Sequence, residues 1–478
     1  MGLLDTVRRW WNMLFQKEAL EEFDVKPVTS QEMDIVIDKC MSIYQDRPYW
    51  LSAEHDIRTI GFGKVLCEET ARLTTLAIHI TIDGSPRAEW LQQQIEKRYF
   101  KIREWIEYGC AAGTFIVKPN GKGIDFLLPN TFKIVDSDDD GNITGIIFID
   151  TYTTSTALSR KYYTKFEYHR INSDTGEYLI SNRAYVSTSD NDKGKLVPLE
   201  ETKWAGLEPD VSLVKQNGEP LERMLFGVFR TPQANNTEIN SPLGLPIYKN
   251  VVEELKNLDI AYSRNSEEIK DSRRVILIDD QLTMPSGQKI EHKKVGASIE
   301  GLPHYAKMVM GGSNGDKPFY EEINPELNTD TRIKGINNEL SFIGWKVGYS
   351  SGYFVFDQKT GMVTATQVES DDRRTIQLIK DCRDKLEDCL DGLIYALNVF
   401  ADLYELAPVG QYEVTYDFGD ITYSFEEDKA NWWKYVIQGN VPAWLYYQKF
   451  EGMSEEEARA MIAEAKAEQE SPTLFGEE

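Results

Sequence analysis

The chain has 478 residues and carries 78 Asp and Glu against 53 Lys and Arg, a net charge of −25; that length suggests about three domains. Its 41% hydrophobic residues suffice for a real core, whereas so acidic a balance excludes a protein that grips nucleic-acid phosphates over a broad basic surface. No stretch approaches the ~20 apolar residues of a membrane span, and no signal peptide is expected.

In chain order, Leu3, Leu4, Val7, Trp10, Trp11 and Leu14 form a short amphipathic helix that also carries Arg8 and Arg9. Such a helix docks on a protein neighbour or on a membrane surface. Ser85-Pro86 opens a second helix, in which Trp90, Leu91, Ile95, Ile102, Trp105 and Ile106 make an apolar stripe that ends at Gly109. His79 lies in the apolar run 76–80 and is expected to be a packed core histidine. Strands follow at 114–117, 124–128, 132–135 and 143–149, with an aromatic-rich run from Tyr162 to Tyr185. The polar stretches 190–195 and 233–240 read as loops, the second as a boundary.

Asp136-Ser137-Asp138-Asp139-Asp140-Gly141 fits the first half of a calcium-binding EF-hand loop, which makes Asp136, Asp138 and Asp140 weak cation ligands. Position twelve of that loop is Ile147 where a bidentate Glu is needed, and both flanks are strands where helices are needed. A hairpin turn is therefore expected.

Ser241-Pro242-Leu243-Gly244-Leu245-Pro246-Ile247 introduces a helical pattern on Val251, Val252, Leu255, Leu258, Ala261 and Tyr262. A β-rich insert then runs from Val275 to Ile323. With its flanks it concentrates cations, Arg273, Arg274, Lys289, His292, Lys293, Lys294 and Lys317, in an otherwise acidic chain; these either meet a partner or blunt exposed strand edges. Asn328, Thr329 and Asp330 are N-caps for a helix that carries Ile333, Ile336, Leu340, Ile343 and Val347 on one face. Gly348, Gly352 and Gly361 punctuate the loop that follows. A helix of about thirty residues or more begins near Thr364 and carries Ile376, Ile379, Leu386, Leu390, Leu393, Ile394 and Leu397. Short strands at 412–416 and 421–425, tryptophan-rich helices and a capping box at Ser454 and Glu457 close the chain, and an acidic tail starts at Gln469.

The succession of helix, β-insert, helix, glycine loop and long helix over residues 241–400, with the string GYFVFDQKTGMVTATQV at its loop, resembles the portal proteins of tailed bacteriophages. The resemblance implies an α+β, portal-type subunit: an α/β wing, a two-helix stem with a β-rich clip inserted between the stem helices, and a helical C-terminal crown. Its parts would be an N-terminal arm at 1–27, the wing at 28–240, a first stem helix at 241–270, the clip at 271–328 and a second stem helix at 329–348. A tunnel loop would occupy 349–363, the long wing helix and closing strands 364–425, and the crown and tail 426–478.

It further implies a structural, non-enzymatic protein of the virion. A ring of about twelve subunits would sit at one capsid vertex and form the channel for packaging and ejecting double-stranded DNA, after assembly in the host bacterial cytoplasm. Terminase, a head-completion or adaptor protein and the major capsid protein or scaffold would be its partners. Tyr349, Ser350, Ser351, Gly352, Asp357, Gln358, Lys359, Thr360 and Gly361 would form the tunnel loop. Lys334, Lys346 and Lys359 would face the DNA, and the basic insert would bind partners. A virion ring or adaptor without a DNA channel is the rival reading.

Gly2 and Thr6 fit an N-myristoylation pattern, but a bacterial virus meets no such enzyme. Gly311 to Lys317 approach a phosphate-binding loop, yet Asp316 breaks the pattern and no hydroxyl follows the lysine. His55, His79, His169, His292 and His304 show no zinc-ligand spacing. Cys40, Cys67, Cys110, Cys382 and Cys389 form no CxxC, and Cys382 and Cys389 stack about 10 Å apart by helical rise, too far to bridge. Buried thiols, no cofactor and no metal centre are expected.

Overall fold

The computed structural model describes residues 15–51, 57–121, 123–155, 160–172, 175–189, 192–214, 220–221, 223–271, 275–279, 306–309, 320–323, 328–355, 365–419, 432–434, 436–437, 441–451 and 453–470. The chain divides into one unit of residues 1–75 with 80–416 and a second of 76–79 with 417–478. The fold is α+β.

The larger unit is built on an antiparallel sheet of β4 (Phe132–Ser137), β5 (Ile143–Ser155), β6 (Arg160–Ile171), β7 (Tyr178–Ser187) and β8 (Lys195–Val197), with β9 (Asp210–Leu213) also paired to β7. Successive residues of a strand point to opposite faces, and β5 is apolar on both. Ile146 and Phe148 join Ile134, Tyr178, Met33, Leu225 and Phe226 in the main core, whereas Ile147 and Ile149 join Phe166, Tyr168 and Tyr185 beneath Phe15, Ala19 and Phe23. The sheet is thus covered on both sides, the second time by helical residues 15–22 of the expected arm. Residues 1–14, the amphipathic part of that arm, lie outside the described residues.

Against this sheet stand α1 (Gln31–Tyr44) and a second sheet in the order β10 (Gly227–Arg230), β2 (Thr114–Pro119), β3 (Ile124–Leu127), while α2 (Phe62–Thr74) packs on other helices. The single helix expected from Ser85 to Gly109 is two, α3 (Pro86–Glu96) and α4 (Ile102–Ala112), separated by a 3-10 turn at Tyr99–Lys101. Gly109 does not end α4. A Cβ there would lie 2.6 Å from the Phe115 ring, so this glycine serves close packing inside the helix, and the left-handed end falls at Gly113 (φ +82°). Past that end the chain threads Leu243 to Ile247 through the core: Gly244 donates to Thr114 Oγ1 at 2.8 Å and Ile247 to the Cys110 carbonyl at 3.0 Å.

Two expectations at the edge of this unit fail. His79 heads β1 (His79–Asp83), whose residues alternate exposed and buried, and the histidine falls on the exposed side. The strand expected to complete the main sheet, β14 (Glu413–Asp417), pairs with β1 in a separate two-stranded sheet. In the smaller unit α8 (Ala443–Glu451) and α9 (Glu455–Glu470) follow one another, and α9 opens with the expected capping box: Glu457 N–H donates to Ser454 Oγ at 3.3 Å and Ser454 N–H to Glu457 Oε2 at 3.0 Å. The strand expected at 421–425 lies outside the described residues.

The main core also holds charge. Lys165, Glu167 and His169, at alternate positions of β6, face inward with Lys118 of β2, and all four are at least nine-tenths buried. Glu167 accepts from Lys118 at 2.5 Å, from Lys165, and from His169 Nε2 at 2.6 Å, while His169 Nδ1 lies 2.6 Å from the Tyr178 hydroxyl. Burial alone would raise Glu167, but Lys118, Lys165 and His169 together hold it well below the carboxylate range. Burial pushes His169 down, against the pull of Glu167 and with the push of both lysines.

An unfolded chain takes up protons at both groups that the folded cluster refuses, so this stability is complete above about pH 6.5 and declines on acidification, first through His169 and then through Glu167. The His169→Gln variant should therefore lose less stability than the parent between pH 7 and pH 5.5 in urea titrations. Parallel slopes for the two proteins would contradict the assignment.

Candidate functional site: the junction of three helices

Two helices of the larger unit run side by side. α5 (Val252–Asp271) and α6 (Thr329–Val347) run antiparallel, as their ion pairs require: Lys346 meets Glu254 at 2.6 Å at one end, and Arg332 meets Glu268 at the other. Leu255 and Leu258 of α5 and Ile336, Leu340, Ile343 and Val347 of α6 are buried, as their spacing predicts. Between the two in sequence lies a sheet in the order β12 (Ala306–Val309), β11 (Val275–Asp279), β13 (Tyr320–Ile323).

α5 is tied down by a carboxylate. Asp259 is buried and accepts from Trp50 Nε1 at 2.8 Å, the Ile60 amide at 2.9 Å and the Thr59 hydroxyl at 3.3 Å. Burial outweighs these bonds and raises its pKa. One turn on, Ser263 Oγ accepts from the Arg58 amide at 2.8 Å.

α6 ends at Gly348 (φ +119°), and the next residue turns inward. Tyr349 is fully buried; its hydroxyl lies 2.7 Å from Thr70 Oγ1 of α2, which itself donates to the Leu66 carbonyl at 2.7 Å. Its ring packs on Tyr353 and Phe354, with centroids 5.1 and 4.8 Å away, and Phe354 meets Phe62 of α2 edge-on. Burial raises the Tyr353 phenol, which donates to Glu69; Glu69 is held low chiefly by Arg72, which grips both its oxygens at 2.7 Å.

The third helix is α7 (Ala365–Leu403), 39 residues long. It locks the turn from the other side: the Ser350 amide donates to Thr375 Oγ1 at 2.9 Å, and Thr375 Oγ1 donates to Ser350 Oγ at 3.0 Å. Arg383, buried on α7, donates to the Leu73 and Thr74 carbonyls and so caps α2. At the far end Arg87, 1% exposed, ties the end of α7 to the segment that follows it, with bonds to the carbonyls of Asn398, Ala407 and Pro408 and to Asp402 at 2.6 Å.

The positions singled out by sequence fall into three groups. Tyr349 and Ser350 are packed inside the junction, whereas Ser351 is exposed and lies 3.1 Å from Ser341 through its hydroxyl, and Gly352 (φ +80°) donates to the same Ser341 oxygen at 3.2 Å. Lys334 is exposed on α6, but Lys346 is neutralised by Glu254. Asp357, Gln358, Lys359, Thr360 and Gly361 and the insert cations Arg273, Arg274, Lys289, His292, Lys293, Lys294 and Lys317 lie outside the described residues. At the acidic turn, Asp138 accepts from the Asn142 amide at 2.7 Å and from Asn142 Nδ2 at 2.9 Å; its side-chain bond with Asn142 is the main cause of a lowered pKa. Asp136 accepts from the Ser137 amide, and β4 and β5 pair on either side. Among the described residues no three His, Cys, Asp or Glu side chains come together as metal ligands.

The buried ionic cluster, the Asp259 anchor and the bonds of the two buried arginines were missed. The first left a signal: Lys165, Glu167 and His169 alternate with Thr164, Phe166 and Tyr168, an inward charged face within a strand. The arginines left none, because their acceptors are backbone carbonyls as many as 321 residues away.

The buried polar side chains at this junction bond to other elements of the same chain, which is the chemistry of a structural scaffold. The model of the family described as "Phage portal protein, SPP1 Gp6-like" matches residues 101–471, well over half of the sequence, and the chain belongs to that family. Its members are structural, non-enzymatic proteins of the phage virion that form a capsid-associated oligomeric ring and take part in genome packaging. No individual curated protein is similar enough to count as a match. Among the described residues no helix is long and apolar enough to cross a membrane.

Because Thr70 keeps its bond to Leu66 when the phenol is removed, Tyr349→Phe should cost only about 0.5–1.5 kcal/mol. Tyr349→Ala should cost about 3–5 kcal/mol through the cavity it leaves. Equal losses in denaturant titrations would mean that the ring does not fill the junction as described.

Proposed function

We propose that the chain forms a ring at one capsid vertex whose axial channel passes double-stranded DNA into the head during packaging and out of it at ejection. The family match over residues 101–471 carries this reading, and the antiparallel α5–α6 pair supports it by supplying two long helices side by side as a stem. The β-sheet between them in sequence serves as the clip. Its cations Arg273, Arg274, Lys289, His292, Lys293, Lys294 and Lys317 dock terminase during packaging and the head-completion protein afterwards, by charge complementarity. Residues 28–240 serve as the wing and meet the capsid protein or scaffold; the C-terminal helices serve as the crown.

A conduit for DNA must repel the duplex more than it holds it, and a net charge of −25 meets that need. The tunnel loop is then confined to the segment leaving the packed turn, with Asp357, Gln358, Lys359 and Thr360 at the narrowest point. One lysine per subunit there gives evenly spaced, weak phosphate contacts.

Negative-stain microscopy with native mass spectrometry should show rings of about twelve copies with a central hole; a compact oligomer without a hole would favour an adaptor. Deleting Gln358 to Thr360 should leave ring formation intact and impair DNA packaging or genome retention. Wild-type packaging and retention in that deletion would sink the gate role.

A further inference from the structure

One side of α6 is left uncovered by the described residues. Phe342 and Trp345 are 49% and 47% exposed, stacked with centroids 6.1 Å apart and planes 21° apart. The Arg374 guanidinium sits 5.0 Å from the Trp345 ring centre and donates to the Trp345 carbonyl at 3.0 Å, which holds the pair outward. At about 100° per residue, Lys334 and Asn338 fall within about 80° of these rings on the same side, and both are exposed. A seam of a lysine, a small amide and two aromatics at spacings of four, four and three is built for a second helix. Facing a polyanion across water, the same rings would only expose apolar surface.

The other outward side of the pair carries two carboxylates and one guanidinium. Glu253, Asn257, Arg264 and Glu267 of α5 share one exposed face. The Glu254–Lys346 and Glu268–Arg332 bridges set the heights of the two helices, so that Glu267 stands level with Lys334, while Asn257 stands level with the aromatics. Among the described residues neither Lys334 nor Glu267 has an ion-pair partner. Where the pair stands along a ring axis, rotation about that axis preserves height, so positions that are level within one chain stay level between neighbours, and a closed ring needs two different complementary faces on each copy.

We infer that the Lys334, Asn338, Phe342 and Trp345 face of α6 is the contact surface for the α5 face of a second copy of this chain, with Lys334 opposite Glu267 of that copy and the two aromatic rings against its residues 253–257. This rests on the ring reading and deepens it: Lys334 closes the ring and does not face the DNA.

The test uses the full chain. The double variant Phe342→Ser, Trp345→Ser changes only exposed side chains, so its circular dichroism should match the parent, while native mass spectrometry should find monomers at concentrations where the parent is assembled. Lys334→Glu should weaken assembly at least tenfold, and adding Glu267→Lys should restore it. Because the five native cysteines are all buried, Lys334→Cys and Glu267→Cys chains, mixed and oxidised, should give a disulfide-linked dimer that neither gives alone. This decides the matter even if the serine variant misfolds. Parent rings with unaltered assembly of the variants and no linked dimer would overturn the contact and leave the ring reading standing. A parent that never forms rings would overturn both.

Discussion

The larger unit depends on how closely α7 lies against β10. A Cβ on Gly227 would stand 1.9 Å from the Cys389 carbonyl, and one on Gly392 would stand 2.9 Å from Gly227 Cα, so helix and strand meet backbone to backbone. Contact that close cannot slide, because any shift puts side chains where only glycine fits. Leu386, Leu390, Leu393, Ile394 and Leu397 then fill the space on either side, each stabilising by about 1.5–3 kcal/mol of burial. Apolar packing alone is tolerant of register, and the glycine contact removes that tolerance.

The arginines convert this fixed register into fixed ends. Arg87 ties the end of α7 to the segment after it through Asn398, Asp402, Ala407 and Pro408, and Arg383 satisfies the last carbonyls of α2, which would otherwise be orphan acceptors. Because Tyr349 and Ser350 are held between the same two helices, α6 cannot tilt without disturbing Thr70 on one side and Thr375 on the other. The junction therefore transmits a displacement of α6 to α7 and α2 as a body. The turn from Gly348 to Val355 is thus fixed on two sides by the body of the larger unit.

Much of this was legible. Period-three-and-four stripes marked α5, α6 and α7, each of which buries one continuous face, and short apolar runs between turn residues marked β4 and β5, the second of them buried on both faces. The order of elements pointed to the family before any geometry did. Where reading by local pattern failed, a distant partner decided the outcome: Gly109 looked like a helix end, but its role is set by Phe115 and Phe229 across the core. His79 looked buried within an apolar run, yet strand pleating turned it outward while Ile78 and Ile80 went in. The inward face of β6 was legible in principle, since three polar residues two apart on one strand either face water or find each other, and Tyr178 and Lys118 supply the rest of that set.

Lys346 shows why a list of cations is a poor guide to a DNA-facing surface. Its charge is held by Glu254 at 2.6 Å, its ammonium lies 5.7 Å from the centre of the Phe342 ring, and its opposite number Arg332 is held by Glu268. Both cations fix the register of the α5–α6 pair, and neither adds a full charge to the field a duplex would feel. Pairing of this kind, on side chains that stay partly exposed, leaves the net charge of −25 to set the field around the proposed stem. Smooth passage of a polyanion requires this, since each phosphate contact that grips must be broken again as the duplex advances.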